Sequence, residues 1–426
     1  MKSVKWYSGK AKKVGSKEKT PSRLQRVFPW LGRIGLAGVL ILGGLLAAVS
    51  VWPSLGARGA DLLRGIIGDQ AVARLEMVAY QIQDTFQTWK YDLGWATPAV
   101  PWGNSASSGF VLTPTATFHT SGIPTLVPTA IPPQAVTPVP TASQVPFTWP
   151  PGPLSPPGSL AGEGVWSPYI QDATGQTIAY RTYLQPDPGR PYAVAAVVAF
   201  DLTRTRLHFV LGSVEPYSPT GPQRTGEMPV ADNAPGVLLA MFNGGFKATH
   251  GEFGAMADGL VALPARDGLG TVVIYRDGRV RIGIWGTEIT PTADMLAWRQ
   301  NGPMVIDHGE INPQVYDNSP KDWGYTVNDV SPTWRSGVGL SFDQKTLYYF
   351  CGSSLTMEAL AESMQTAGVD ASIQMDINAY WVHFVAIQWL DQKQVLEPLF
   401  PDMMKENIDR YLWPYTRDYF YVTWVR

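Results

Sequence analysis

Asn243-Gly244-Gly245-Phe246 ends the apolar run 237–242 and is the stretch of this chain best placed to meet a ligand. Two consecutive glycines let backbone N–H groups approach a bound group with no Cβ in the way. The asparagine beside them offers both a donor and an acceptor. Arg335 opens a second strand, in Pro332-Thr333-Trp334-Arg335-Ser336. Its planar guanidinium suits a two-pronged grip on phosphate, and equally suits an ion pair. Asp376 ends a third strand, Ile373-Gln374-Met375-Asp376, where a carboxylate either faces a cleft or makes a turn. Past it, Asn378 and Tyr380 alternate onto one side of an extended chain. His383 falls on the other side, between Val382 and Phe384, and reads as a core histidine. Lys247, just beyond the glycines, is either a second cation for the site or a solvated loop lysine. His250 and Glu252 follow in a glycine-rich loop as weaker candidates.

The elements that must position these residues lie in 159–426. Asp277-Gly278 between two apolar runs predicts a hairpin, and 305–311 repeats the pattern. The segments 337–342 and 346–350 predict another hairpin, and 193–200 with 206–211 a strand pair. From 355 to 367 the spacing predicts a helix with Thr356 as cap and Gly368 as stop, followed by the strand 371–376. Strand pairs with a few inserted helices imply an α+β domain of mixed or antiparallel sheets.

The 426 residues carry a net charge of −2, so no polyanion-binding surface and no nucleic-acid partner are expected. The single cysteine, Cys351, lies in an apolar run, reads as a small buried hydrophobe and excludes an intramolecular disulfide. Aromatic residues crowd into the second half, which predicts a sizeable core and a surface suited to carbohydrate. No His, Cys and Asp cluster shows metal-ligand spacing, so no cofactor is expected. A divalent-cation site assembled from distant acidic residues stays open.

The first part of the chain is organised differently. Residues 1–33 are basic, and 34–52 are uncharged and long enough to cross a hydrocarbon core of roughly 30 Å. Together they predict a cytoplasmic tail, a single uncleaved transmembrane helix and an extracytoplasmic C-terminal bulk at the cell envelope. Residues 59–93 predict an amphipathic helix, with Val72, Leu75, Ala79, Ile82, Phe86, Trp89 and Leu93 at heptad spacing. That seam fits either a homodimer through 72–93 or packing against its own chain or the membrane surface. Residues 97–158 are rich in proline, threonine and serine with almost no charge, and read as a semi-rigid stalk.

Across about 190–390 the ordered segments resemble the phosphodiester glycosidase family. Segments 195–202 and 207–212 are similar to its opening strand pair, and Asn243-Gly244-Gly245-Phe246 to its Asn-Gly-Gly-Phe motif. Asn301-Gly302-Pro303-Met304-Val305 with Asp307 and Gly309 resembles its Gly-Pro hairpin, and Arg335-Ser336-Gly337-Val338-Gly339-Leu340 its Arg-Thr-x-x-Gly strand. The helix and strand leading to Asp376 match the approach to its Asp-Gly-Gly-Gly-Ser motif. There this chain departs, with Ile377-Asn378-Ala379-Tyr380-Trp381 in place of the glycines and serine.

The resemblance implies a hydrolase that cleaves the bond between a sugar's anomeric carbon and a phosphodiester oxygen, in envelope glycans or exopolysaccharide. It implies Arg335 on the phosphate and donors from Asn243, Gly244 and Gly245. Asp376 would then be nucleophile, base or oxocarbenium stabiliser. Lys247, Asn378 and Tyr380 would contact substrate. The replaced loop keeps a second class open, a glycan-binding envelope protein without turnover.

Overall fold

The computed structural model describes residues 53–98, 100–102, 110–111, 147–156, 158–317, 322–324, 331–390, 393–404 and 407–425. The chain divides into Met1–Leu55 and Gly56–Arg426, and the second unit holds every element below apart from the first residues of the first helix.

Three antiparallel sheets dominate. An eight-stranded sheet runs Glu310–Ile311, Met304–Asp307, Ala371–Ile377, Thr333–Leu340, Thr346–Leu355, Ala195–Asp201, Thr177–Leu184, Ser167–Gln171. A six-stranded sheet runs Phe110–Val111, Lys393–Pro398, Phe384–Leu390, Leu238–Asn243, Tyr419–Trp424, Thr205–Val210. A five-stranded sheet is built on the hairpin Gly270–Tyr275 and Val280–Ile284, the one that Asp277-Gly278 predicts. The aromatic residues join the layers. Phe242 and Phe420 of the six-stranded sheet lie 5.5 Å apart, and Tyr349 of the eight-stranded sheet is 4.8 Å from Phe242. Most of the aromatic content of the second half is therefore core, rather than a surface for sugars.

Among the described residues there are three α-helices: α1 (Pro53–Ile67), α2 (Asp69–Asp92) and α3 (Met357–Thr366). The α+β expectation is corrected accordingly. Only α3 lies between strands, and the rest of the domain consists of antiparallel strands whose buried runs need no covering helices. Thr356 caps α3 by accepting from Ala359 N at 3.1 Å. Met364 of α3 presses on the sheet at Gly337, where an added Cβ would come 2.2 Å from the methionine methyl.

The transmembrane part of the expectation is corrected too. No described helix is long and apolar enough to cross a membrane. The basic tail 1–33 and the apolar run 34–52 lie outside the described residues.

Two further expectations change. Ala195–Asp201 and Thr205–Val210 are joined by a tight turn at Asp201, but they enter different sheets. Ala195–Asp201 is buried along its whole length and needs a neighbour on each side, which Thr346–Leu355 and Thr177–Leu184 provide. Most of the expected stalk, 103–109 and 112–146, lies outside the described residues; of its described parts, Phe110–Val111 adds an edge strand to Lys393–Pro398, and Trp102 lies 4.4 Å from the Arg181 guanidinium. The helical stretch breaks into α1 and α2 at Gly68, which has φ +83°. Of the heptad seam Val72 is buried, while Leu75, Ile82, Phe86, Trp89 and Leu93 face outward.

Candidate functional site

The Asn-Gly-Gly turn and the end of strand Ala371–Ile377 come together. Asp376 N donates to Gly244 O at 3.1 Å. Ser336 Oγ links the two, accepting from Asn243 Nδ2 at 3.0 Å and donating to Asp376 O at 2.7 Å. The side chain of Asn243 is engaged by the protein itself, since its Oδ1 accepts from Tyr349 OH at 2.8 Å and from His383 N at 3.1 Å. Asn243 therefore positions the turn rather than reaching out to a ligand.

The two glycines serve close packing. Gly244 N and Gly245 N are bonded to Asp418, at its carbonyl (3.1 Å) and its Oδ2 (3.0 Å). Added Cβ atoms would meet Asp418 Oδ2 at 2.3 Å and the Arg299 guanidinium at 2.8 Å respectively. Gly245→Ala is expected to lower unfolding free energy by about 1–3 kcal/mol through overpacking, measurable by urea unfolding.

Asp418 and Arg299 form a fully buried ion pair with Nε to Oδ2 at 2.8 Å. The other donors of Arg299 reach the carbonyls of Phe246 (2.6 Å), Gln300 (2.8 Å) and Phe253 (3.1 Å), so one guanidinium ties the chain that leaves the turn to its own strand. Asn301 adds to this, accepting from Phe246 N at 2.9 Å and donating to Gln374 O at 2.7 Å.

Arg417 is the neighbour of Asp418 and the partner of Asp376. Its guanidinium donates to the Asp376 carboxylate in a short contact and to Gly245 O at 2.8 Å. The ring of Trp381 lies 4.4 Å from Arg417 Cζ and 5.3 Å from Lys247 Nζ. Beside the indole the site thus holds two cations, Arg417 paired with the Asp376 carboxylate and Lys247 paired with the Asp61 carboxylate of α1. Burial pushes the Asp376 carboxyl up to about 6, against the attraction of Arg417. Burial, reinforced by Arg64, Arg417 and Lys247, holds His250 down at about 3 and therefore neutral at physiological pH.

The remaining predicted residues are placed as follows. Arg335 is fully buried and donates to the carbonyls of Leu355 (2.9 Å), Ser331 (3.1 Å) and Trp323 (3.4 Å), which ties its strand to the loops around it. Asn378 takes a left-handed φ of 77° and accepts from Tyr80 OH. Tyr380 packs edge-on against Trp381, and Arg410 lies over its ring. Cys351 and His383 are buried, and His383 Nε2 lies 3.1 Å from Ile408 O.

Arg417, Asp418 and Arg299 were missed from sequence. The one available signal was the charged pair Arg417-Asp418 set immediately before the aromatic run 419–424. Also unread was a metal-competent group, Glu288, Asp307 and His308, whose ligand atoms lie within 4.8 Å of one another. It is brought together across two sheets, and Asp307 follows Ile306, which pairs with Ser372 at the end of the strand away from Asp376.

No family model matches the chain. No curated protein matches it either. Among solved structures it is similar to the zebrafish N-acetylglucosamine-1-phosphodiester alpha-N-acetylglucosaminidase catalytic domain auto-inhibited by pro-peptide. That match has 14% identity and a TM-score of 0.38, over 61% of this chain and 88% of that one. It is also similar to a hypothetical protein from Synechocystis at 9% identity and a TM-score of 0.33, over 61% of this chain and 64% of the other. Both likenesses are distant and lie at the level of the fold, and neither carries an activity over to this chain.

Proposed function

We propose that the domain hydrolyses the bond between a sugar's anomeric carbon and a phosphodiester oxygen. The observation that carries this reading is the Asp376 carboxylate, buried at the Asn-Gly-Gly turn and bonded to Arg417, with Lys247 and Arg417 both against Trp381. Two cations there can hold a phosphate and stabilise the charge that develops on it as it leaves. Asp376, once deprotonated, either attacks the anomeric carbon or takes a proton from the attacking water. A phosphate monoester leaves readily, so the reaction needs no strong general acid. Trp381 offers an apolar face for a sugar ring.

The test is release of the aryl phosphate from an aryl phosphodiester of N-acetylglucosamine by the full chain. Lys247→Ala is expected to lower kcat/KM about tenfold, through kcat as well as KM, the loss of about 1.4 kcal/mol of transition-state stabilisation. Activity and KM untouched by Lys247→Ala would remove this lysine from the phosphate. One observation favours a second reading, binding without turnover: Trp381 lies on the guanidinium of Arg417, in the loop where the resemblance implies glycines. Calorimetric binding of the ester with no product formed selects that reading.

A further inference from the structure

Helix α2 is fixed to the domain by one face. Val72 and Ala73 are buried, and Tyr80 packs with Phe246, Phe253 and Ile377. Asp84 meets Arg190 at 3.1 Å and Tyr192 OH at 2.8 Å, and Tyr91 stacks on Tyr192 at 4.9 Å. The opposite face is exposed and apolar. Leu75, Val78, Ile82, Phe86, Trp89 and Leu93 are each between 46% and 61% exposed. At 3.6 residues per turn they fall within an arc of roughly 80°, which makes one continuous stripe. Half the surface of six large side chains is on the order of 600 Å², at the upper limit of apolar patches on monomers. With the polar residues beside it, the face reaches the about 800 Å² per partner of a stable protein interface.

The stripe is complementary to itself. When two copies of α2 run antiparallel about a two-fold axis near Asp84, Leu75 meets Leu93, Ile82 meets Phe86, and Val78 meets Trp89. Charge follows the same register. Arg74 and Asp92 are both exposed and lie about five turns apart, at the same angle on one flank of the stripe. The two-fold brings Arg74 of each copy to Asp92 of the other. A parallel pair would set Arg74 against Ala79 instead.

A lipid surface is a poorer match. Helix α2 carries Arg74 and Lys90 against Asp69, Glu76, Asp84 and Asp92, whereas helices that lie in a membrane interface carry an excess of Lys and Arg. Three heptads are marginal as an isolated coiled coil. Here the anchoring face already orders the helix, so pairing costs little further chain entropy.

We propose that the exposed face of α2 is a homodimer interface, with two copies packed antiparallel through 75–93. Val72 then belongs to the domain and the rest of the heptad seam to the partner. The proposal does not depend on the chemistry at Asp376.

The full chain is followed by sedimentation velocity across a wide range of concentration. Ile82→Asp/Phe86→Asp is expected to raise the dimer dissociation constant by more than about 100-fold. Far-UV circular dichroism should not change, because both side chains are half exposed. Arg74→Asp should weaken the dimer about tenfold, and Arg74→Asp/Asp92→Arg should restore it. Disulfide formation reads the register. Cys351 is buried, so an introduced cysteine is the reactive thiol. Leu75→Cys and Leu93→Cys chains should each stay unlinked alone and give a linked dimer when mixed.

Linking of Leu75→Cys to itself, or a charge-swapped double variant no better than Arg74→Asp, would overturn the antiparallel register. A monomer at every concentration would overturn the interface and leave the stripe to a segment of the chain itself. A monomer that binds phosphatidylserine vesicles, and loses them in Ile82→Asp/Phe86→Asp, would overturn it in favour of a lipid surface. A dimer that survives that substitution would place the contact elsewhere.

Discussion

Asp376→Asn is expected to lower kcat on the aryl sugar phosphodiester by about 10³-fold, the scale of losing a positioned acid–base or nucleophilic group. Gel filtration and far-UV circular dichroism should be unchanged, since the amide keeps the volume of the acid and an acceptor for Ile377 N, now at 2.9 Å from Oδ1. The pH profile makes the assignment sharper. The usual carboxyl value is 3.8, and burial lifts Asp376 to about 6, so the reactive carboxylate forms only as pH rises through about 6. The acid limb of kcat should lie there. Arg417 opposes the lift, so Arg417→Met should move the limb to higher pH as well as slow the reaction.

Stability follows the same sign. An acid whose native value is raised stabilises the fold fully below the unfolded value. It loses that contribution as pH rises through the native value. Wild type should therefore lose stability relative to Asp376→Asn between about pH 4 and 6, read from urea midpoints across that window. A pH-independent difference, or an acid limb near pH 4, would place the titrating group elsewhere.

Asp418→Ala is expected to lower unfolding free energy by about 3–5 kcal/mol, because it strands a fully buried guanidinium. Arg299 and Asp418 both have no exposed side-chain surface, and Asp418 also holds the N–H groups of Gly244 and Gly245. The loss should appear as a lower urea midpoint at unchanged slope. Replacing both partners, Arg299→Met with Asp418→Leu, should recover part of it, since no charge is then left unpaired. A loss below about 1 kcal/mol in the single variant would mean that water reaches Arg299, as in an exposed pair.

How much of this was legible varies by residue, for physical reasons. Local rules found what local physics sets: the Asp277-Gly278 hairpin, the Thr356 cap and the strand ending near Asp376 each depend on residues close in sequence. The Asn-Gly-Gly turn was found as well, but its purpose was misjudged. Its glycines look like ligand-facing backbone in sequence, whereas their N–H groups belong to Asp418, more than 170 residues away. Arg335 looked like a phosphate clamp because an arginine beside a strand carries no mark of which way it points. Three backbone carbonyls, two of them from other loops, take its guanidinium. The cation that meets Asp376 is Arg417, from the last strand's approach, beyond the 190–390 stretch where the ordered motifs lie.

The sequence by itself determined the turns, the cap and the apolar runs that become strands. Each depends on backbone preference or on periodicity along a few residues. The tertiary structure alone decided which strands share a sheet, because a buried strand pairs with whatever neighbour completes its hydrogen bonds on both edges. It alone decided that Arg417 rather than Arg335 faces Asp376, and that Asp61 lies on Lys247. Charges are matched across space by what burial leaves uncompensated, and spacing along the chain does not record that.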